Sequence, residues 1–468
     1  MRCGRPLVRS FDRPRLRLFA RLCALFCGRL CVLLCAVWLP ATGWAADIRV
    51  RGGAGVARVD GGVWSEVDAG LQISEGAFGV TLRAPLRVSV REPGVLRARD
   101  WDDRSEWLRL APRLDWHPPV DPGRLSSLSL RIAPTAGATL GHGSLVRDYR
   151  SALLPDHFKS GVRLDLDRGA VGLQLIADDV TRFDLVGVRL FARPWSGYGR
   201  QTRRGRAMAP KRGALANLTV AISAVADRNA PLIAIRNADG RLQSDAAGRP
   251  RMTSAPLVLA GVDVGLPVAL GAYQHLVPYV DANVASIDGG GGAGLHAGVW
   301  WAWRGRAAQL RIRYEARRSE GSYRPGWIDG FYELERTQLG AAGRTKAAAW
   351  LARAGEGRWG HLVQARGSTP AGWQLAGTWE TWHRTAGDRP ADTASARLRT
   401  PVWAGVQAHV AWALRPGVGQ QSAAAAARWQ SRGPWHAWCD VQRTWHADAG
   451  VYAMRLDAAF GIGARWAW

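Results

Sequence analysis

The sequence predicts an all-β chain, a closed antiparallel transmembrane barrel of about 18 strands, in a range of roughly 16–20, with no plug domain. Three observations lead there. Apolar residues recur at every second position in segment after segment, the N-terminus is ordered like a secretory leader, and 17 of the 24 tryptophans fall between Trp300 and Trp468.

The longest period of two closes the chain. Trp468, Trp466, Ala464, Ile462, Phe460, Ala458, Leu456, Met454 and Tyr452 alternate with Ala467, Arg465, Gly463, Gly461, Ala459, Asp457, Arg455 and Ala453. This period marks an extended strand, whose successive side chains leave on opposite faces. A soluble sandwich strand keeps it up for about 5 or 6 residues, whereas this segment is long enough to cross a bilayer as a tilted strand of about 9–11. The ending resembles the C-terminal assembly signal of bacterial outer-membrane β-barrel proteins, the porin-like ones included, with Trp468, Trp466, Ala464 and Phe460 as the matching residues. The resemblance implies the outer membrane of a Gram-negative bacterium, with its lipid and lipopolysaccharide as surroundings. It also implies recognition by the barrel-assembly machinery through the last strand. It attaches no activity.

Residues 1–45 hold eight arginines and the single acid Asp12, then the apolar run Leu30 to Leu39, Pro40 and the small-residue site Gly43, Trp44, Ala45. Basic region, short apolar core and small residues before a cleavage point are the order of a secretory signal, so 1–45 reads as a leader and 46–468 as the barrel. Ten apolar residues are too few for a membrane helix, and no stretch after residue 45 reaches about 18. Five of the six cysteines lie in the leader, leaving Cys439 with no partner for an internal disulfide. Of the formal +25, the leader carries +7. The remaining basic balance suits an anionic surface or solute, and the export signal disfavours nucleic acid.

Elsewhere, Phe78, Val80, Leu82, Ala84, Leu86, Val88 and Val90 alternate with a face that carries Arg83, Arg87 and Arg91. Leu128 to Ile132 and Val162 to Leu166 repeat the pattern, as do Val258 to Val268 around Asp263. Leu310, Ile312, Tyr314 and Ala316 alternate with Arg311, Arg313, Glu315 and Arg317; Ala396, Leu398 and Val402 oppose Arg397 and Arg399; and Val406 to Trp412 alternates around Gln407 and His409. Apolar outside and charged inside is what a lipid-facing barrel with a wet lumen requires, and lipid demands that the sheet leave no open edge. Trp-rich girdles at the two interfaces fit the same reading. The first strand is expected near Val63 to Ile73, too close to residue 46 for a plug to precede it.

The function expected is a channel for small hydrophilic, preferentially anionic, solutes and not an enzyme. Arg83, Arg87, Arg91, Arg311, Arg313, Arg397, Arg399 and Arg455 are the lumen-lining candidates. Asp165, Asp167, Glu315 and Asp457 would offset part of that charge. Leu140 to Ser160 breaks the strand rhythm, and His142, Ser144, Arg147, Asp148 and His157 are candidates for a loop folded inward as a constriction. The same segment offers the residue types of a hydrolase site, with Asp156 as a further acid, but GHGS is not the GxSxG elbow. A lipid-modifying hydrolase is therefore an alternative. A barrel that binds or exports an anionic polymer is another, through the acid-free stretch Pro194 to Gly213 with Arg200, Arg203, Arg204, Arg206, Lys211 and Arg212. Asn237 to Ser254 and Gly289 to Gly292 read as loop or turn. No cofactor fingerprint appears, and no metal site is expected, since His361, His383, His409, His436 and His446 are scattered singly.

Overall fold

The computed structural model describes residues 46–468 except 60, 93, 120–125, 152–157, 197–213, 244–250, 338, 340–343, 353–356, 385–392, 416–419, 432, 449–450 and 468. In chain order the strands are β1 (Asp47–Val59), β2 (Gly62–Glu75), β3 (Phe78–Ser89), β4 (Arg113–Trp116), β5 (Ser127–Ala133), β6 (Ala136–Ala138), β7 (Tyr149–Arg150), β8 (Gly161–Asp167), β9 (Val171–Ala177), β10 (Leu185–Ala192), β11 (Thr219–Ala234) and β12 (Met252–Gly265). They continue with β13 (Val268–Ala269), β14 (Gln274–Ile287), β15 (Gly290–Arg304), β16 (Gln309–Gly321), β17 (Arg358–Ser368), β18 (Gln374–Arg384), β19 (Thr393–Arg399), β20 (Val406–Arg415), β21 (Gln420–Gln430), β22 (Trp435–Asp448) and β23 (Val451–Ala467).

Twenty of these form one closed antiparallel barrel. Neighbours in sequence pair in turn, β5 pairs with β8 across the intervening hairpin, and the two-residue β13 prolongs the β12 side of β14. Closure is made by β1 against β23, from Arg49 opposite Ala467 to Arg58 opposite Ala458. Every barrel strand thereby has a paired neighbour on both sides, so that no strand is left at an edge of the sheet, as lipid requires. The count is at the upper end of the expected range.

The closing strand β1 is one that the alternation rule misses. β1 precedes the expected first strand, in residues too glycine-rich to show the period. Those glycines are needed: a Cβ at Gly53 would come within 2.8 Å of the Trp438 ring, and one at Gly55 within 2.2 Å of the Phe460 carbonyl oxygen. Further boundaries shift, and Met252 to Ser254, read as loop, already belong to β12, which ends at Gly265 and not at Val268. β19 ends at Arg399, so Val402 belongs to the following turn with Pro401, which removes a ladder donor. Gly290 to Gly292 open β15 instead of forming a turn, which is confined to Asp288 and Gly289.

The outer face is apolar. Val220, Ile222, Val258, Val262, Val264, Val280, Val284, Leu456, Phe460 and Ile462 are all exposed, on the face opposite the buried acids Asp263, Asp281 and Asp457. Exposed aromatics mark both ends of the wall. Tyr273, Trp373, Trp403, Trp429, Trp435 and Trp466 lie at or beside turns on the rim that carries the chain ends, and Trp359 lies at the other rim, where β17 begins. Their rings suit the headgroup zones.

The rim opposite the chain ends carries the connections 90–112, 134–160 and 322–357. In the first, a 3₁₀ turn at Arg104–Leu110 begins with Asp103 as its cap, while the Glu106 carboxylate accepts from the amides of Asp102 (2.9 Å) and Asp103 (3.2 Å). Burial, with Asp102 close by, pushes Glu106 up to about 8 against the pull of Arg109. Because the folded value is raised, the stabilisation is fully present below the ordinary 4.5 and is lost as pH rises through about 8. Hydrogen exchange of 104–110, corrected for intrinsic rates, is expected to be slower at about pH 6 than at about pH 9. Glu106→Gln, which keeps an acceptor but does not ionise, is expected to abolish that difference.

Candidate functional site

Two connections from the long-loop rim turn inward and fill one side of the lumen. Each brings apolar residues to a common cluster: Ala138, Leu140, Leu145, Val146 and Tyr149 from the first, and Tyr323, Trp327, Ile328, Tyr332 and Ala347 from the second. They pack against Val225 and Leu232 of β11, Leu257 and Leu259 of β12, and Ala285 and Ile287 of β14. The wall is therefore apolar on both faces here. The second connection contains two short helices, α1 (Tyr332–Glu335) and α2 (Lys346–Leu351). The inner face of β15 is cut down to make room for it, since a Cβ at Gly294 would lie 2.1 Å from the Tyr323 ring. Among the described residues the filling is thus made by loops and not by a separate plug domain.

Charged groups fasten these segments to the wall. Arg147 Nη2 donates to Glu380 Oε2 of β18 at 2.6 Å, and Glu380 also faces Arg317 Nη1 of β16 at 3.1 Å. Glu315 is gripped by Arg313 and Arg317 on its own strand, accepts from Tyr279 Oη at 2.5 Å and lies 3.0 Å from His296 Nδ1. His296 Nε2 in turn lies 2.8 Å from the Tyr323 hydroxyl, which ties the second connection to the same cluster. A buried carboxylate is tolerable only when its lone pairs are filled in this way.

Asp148 has φ +52°, a conformation open to aspartate at modest cost, and is held by Arg366, Gln364 and the Thr139 hydroxyl. Burial opposes its charge, but the Arg366 guanidinium, helped by Arg147 and Arg397, holds the carboxyl below the usual carboxylate range. Farther along, Glu333 of α1 accepts from the Tyr149 hydroxyl at 2.7 Å and from Lys159 Nζ at 2.8 Å. Burial again opposes the charge, and Lys159 and Arg336 outweigh it, leaving Glu333 below its ordinary value.

The candidate residues separate into distinct settings. His142, Ser144, Arg147 and Asp148 lie together on the first inward segment; His157 and Asp156 lie outside the described residues. His142 Nδ1 is 2.8 Å from Asp281 Oδ1, and Ser144 Oγ donates to Asn283 Oδ1 at 3.5 Å. Among the described residues no hydrogen bond joins Ser144 to His142, so the elements of a triad are near in sequence but bonded elsewhere. Arg83 and Arg87 face the lumen already paired, Arg83 with Asp68 at 2.7 Å and Arg87 with Asp100 at 3.1 Å. Arg313 is wholly buried in the Glu315 cluster. Arg91 falls beyond the end of β3, exposed in the connection, so its place in the alternation ends with the strand. The side chain of Arg455 lies outside the described residues, as does the whole basic stretch Arg200, Arg203, Arg204, Arg206, Lys211 and Arg212. The strands on either side of it, β10 and β11, end and begin at the rim with the chain ends.

Arg311, Arg397 and Arg399 line a cavity of about 800 Å³ that reaches the same rim at Gln309, Ser368 and Gln374. Its described lining adds Arg150, Arg304, Arg366 and Arg428, with Asp148 as the one acid. A second cavity of about 560 Å³ shares Arg428 and His409 with it and balances Arg51, Arg83 and Arg87 against Glu66, Asp68, Asp440 and Asp457.

A closed ladder with an apolar exterior and a charged interior defines a transmembrane β-barrel of the outer-membrane type. No protein-family model and no curated protein matches the sequence. Among solved structures it is similar to OccAB2 of Acinetobacter baumannii, with 9% identity, 91% of this chain and 98% of that one covered and a TM-score of 0.31. It is also similar to the outer membrane protein OpdK of Pseudomonas aeruginosa, with 10% identity, 91% and 99% covered and 0.32. A third is OccK11 (OpdR) of Pseudomonas aeruginosa, with 8% identity, 90% and 96% covered and 0.34. Likenesses at this level carry no argument, and the class rests on the ladder and its two faces.

Trp327, 1% exposed, is the largest side chain fully buried among the inward segments. Trp327→Ala is expected to cost about 3–5 kcal/mol of local packing. Limited proteolysis of 322–357 is expected to quicken, with the barrel itself intact by heat-modifiable gel mobility. Trp403→Ala, at an 83% exposed position, is expected to leave proteolysis unchanged.

Proposed function

We propose that the protein is an outer-membrane channel for small hydrophilic solutes, with a preference for anions, and that the inward segments form its constriction. The observation that supports this reading is the larger cavity, where seven arginines face a single aspartate. Guanidinium groups that share no carboxylate leave donors and positive potential available to a carboxylate or phosphate in transit. Selectivity is assigned to Arg311, Arg397 and Arg399, whereas Arg83, Arg87 and Arg313 serve mainly to neutralise wall and core acids. The constriction is assigned to His142, Ser144, Arg147 and Asp148, which cross from wall to wall.

The test is conductance and reversal potential of the refolded barrel in a planar bilayer under a salt gradient. The wild type is expected to conduct and prefer anions. Arg397→Ser with Arg399→Ser is expected to shift the reversal potential toward cations at similar conductance. Arg83→Ser, which exposes Asp68, is expected to reduce anion preference less. A folded but silent barrel, or one whose selectivity ignores the Arg397 and Arg399 changes, would contradict the proposal.

A further inference from the structure

We propose that His142, Asp263 and Asp281 form a binding site for a divalent transition metal of the zinc type, and that the ion ties the first inward segment to the barrel wall. The three residues come from the inward segment, β12 and β14, and their ligand atoms all lie within 4.8 Å of one another. His142 Nδ1 is 2.8 Å from Asp281 Oδ1 and 3.7 Å from Asp263 Oδ1. Tetrahedral zinc with bonds of about 2.0–2.1 Å separates its ligands by about 3.3 Å, between those two distances. Small shifts would seat an ion.

A second observation points to a ligand. Asp281 is 1% exposed, and its Oδ2 has no hydrogen-bond partner. A buried carboxylate oxygen with nothing to accept from is costly, and a cation beside it removes the cost.

The imidazole is also placed in advance. His142 stands between Gly141 and Gly143, at φ +54° and +85°, a turn that β-carbons would strain. The ring stacks on Tyr279 at 4.1 Å between centroids and 21° between planes. Its Nε2 edge rests against the bare backbone of Gly265, where a Cβ would come within 2.8 Å. Held so, the ring presents Nδ1 to the two carboxylates. The nearest competitor is Arg189, which forks onto Asp263 through Nε to Oδ2 at 3.0 Å and Nη2 to Oδ1 at 2.7 Å. An ion on Oδ1 displaces Nη2 and leaves the Nε bond in place, so that Arg189 then orients the ligand from behind. One imidazole with two carboxylates suits zinc and its first-row neighbours, and offers too few oxygens for calcium. Three protein ligands leave one position for water.

The test uses the refolded full-length barrel without a histidine tag, titrated with Co²⁺ and read by its visible absorption, with Zn²⁺ as competitor. One Co²⁺ per chain, displaced by Zn²⁺, is expected, weakened at least about tenfold in His142→Ala and in the isosteric Asp281→Asn and unaltered in His361→Ala. Folding of each variant is checked by heat-modifiable mobility. Zn²⁺ is expected to slow hydrogen exchange across 140–150 in the wild type and not in Asp281→Asn. Absence of saturable binding, or binding that survives both substitutions, overturns the site; binding without slower exchange overturns the tie. Neither readout depends on conduction, so the channel reading stands or falls separately.

Discussion

Closing twenty strands on themselves leaves a lumen too wide for wall side chains to fill. Barrels of about 8 strands are just filled by their own residues, those of 16–18 hold a water channel and those of 22 are plugged. This chain meets the constraint with its own loops. The consequences run through the molecule: the walls of β11, β12 and β14 turn apolar inward where the loops bring apolar residues, and carry Asp227, Asp263 and Asp281 inward where the loops bring Tyr332 and His142. What remains open among the described residues includes the basic cavity on the side of β16 to β21 and the mixed-charge cavity beside it.

Carboxylates decide how firmly the filling is held. Glu315 and Glu380 are buried at positions where an uncompensated charge would be intolerable, and arginines from wall and loop surround them. Such networks add little net stability compared with an apolar core, but removing one member leaves the others unpaired, which favours a single arrangement. The same accounting leaves Asp281 one partner short beside His142.

The barrel was legible because period-two alternation survives wherever one face meets lipid and the other meets charge, as in β16 with Tyr314 outward and Arg313, Glu315 and Arg317 inward. β1 escaped because its small residues serve the bulk of Trp438 on the neighbouring wall. Individual inward arginines were visible, but not which of them are neutralised, since Arg83 and Asp68 meet across a strand pair whose register a single sequence does not give. The inward turn of Leu140 to Arg150 was suggested by the broken rhythm of Leu140 to Ser160. The second inward connection was not, though two signals existed: Leu257 and Leu259 make β12 apolar on both faces, and Gly292 and Gly294 empty the inner face of β15. His142 lies more than a hundred residues from Asp263 and Asp281, so no spacing rule finds the three together.

The constriction and the basic cavity beside it both require the two inward connections to be packed inside the barrel. Residue-resolved hydrogen exchange of the folded protein in membrane mimetic tests this directly. Amides of 145–149 and 323–332 are expected to exchange as slowly as those of the neighbouring strands β12 and β14. Exchange as fast as in the exposed turn at Asn237 to Gly240 would place these segments outside the lumen and contradict the account.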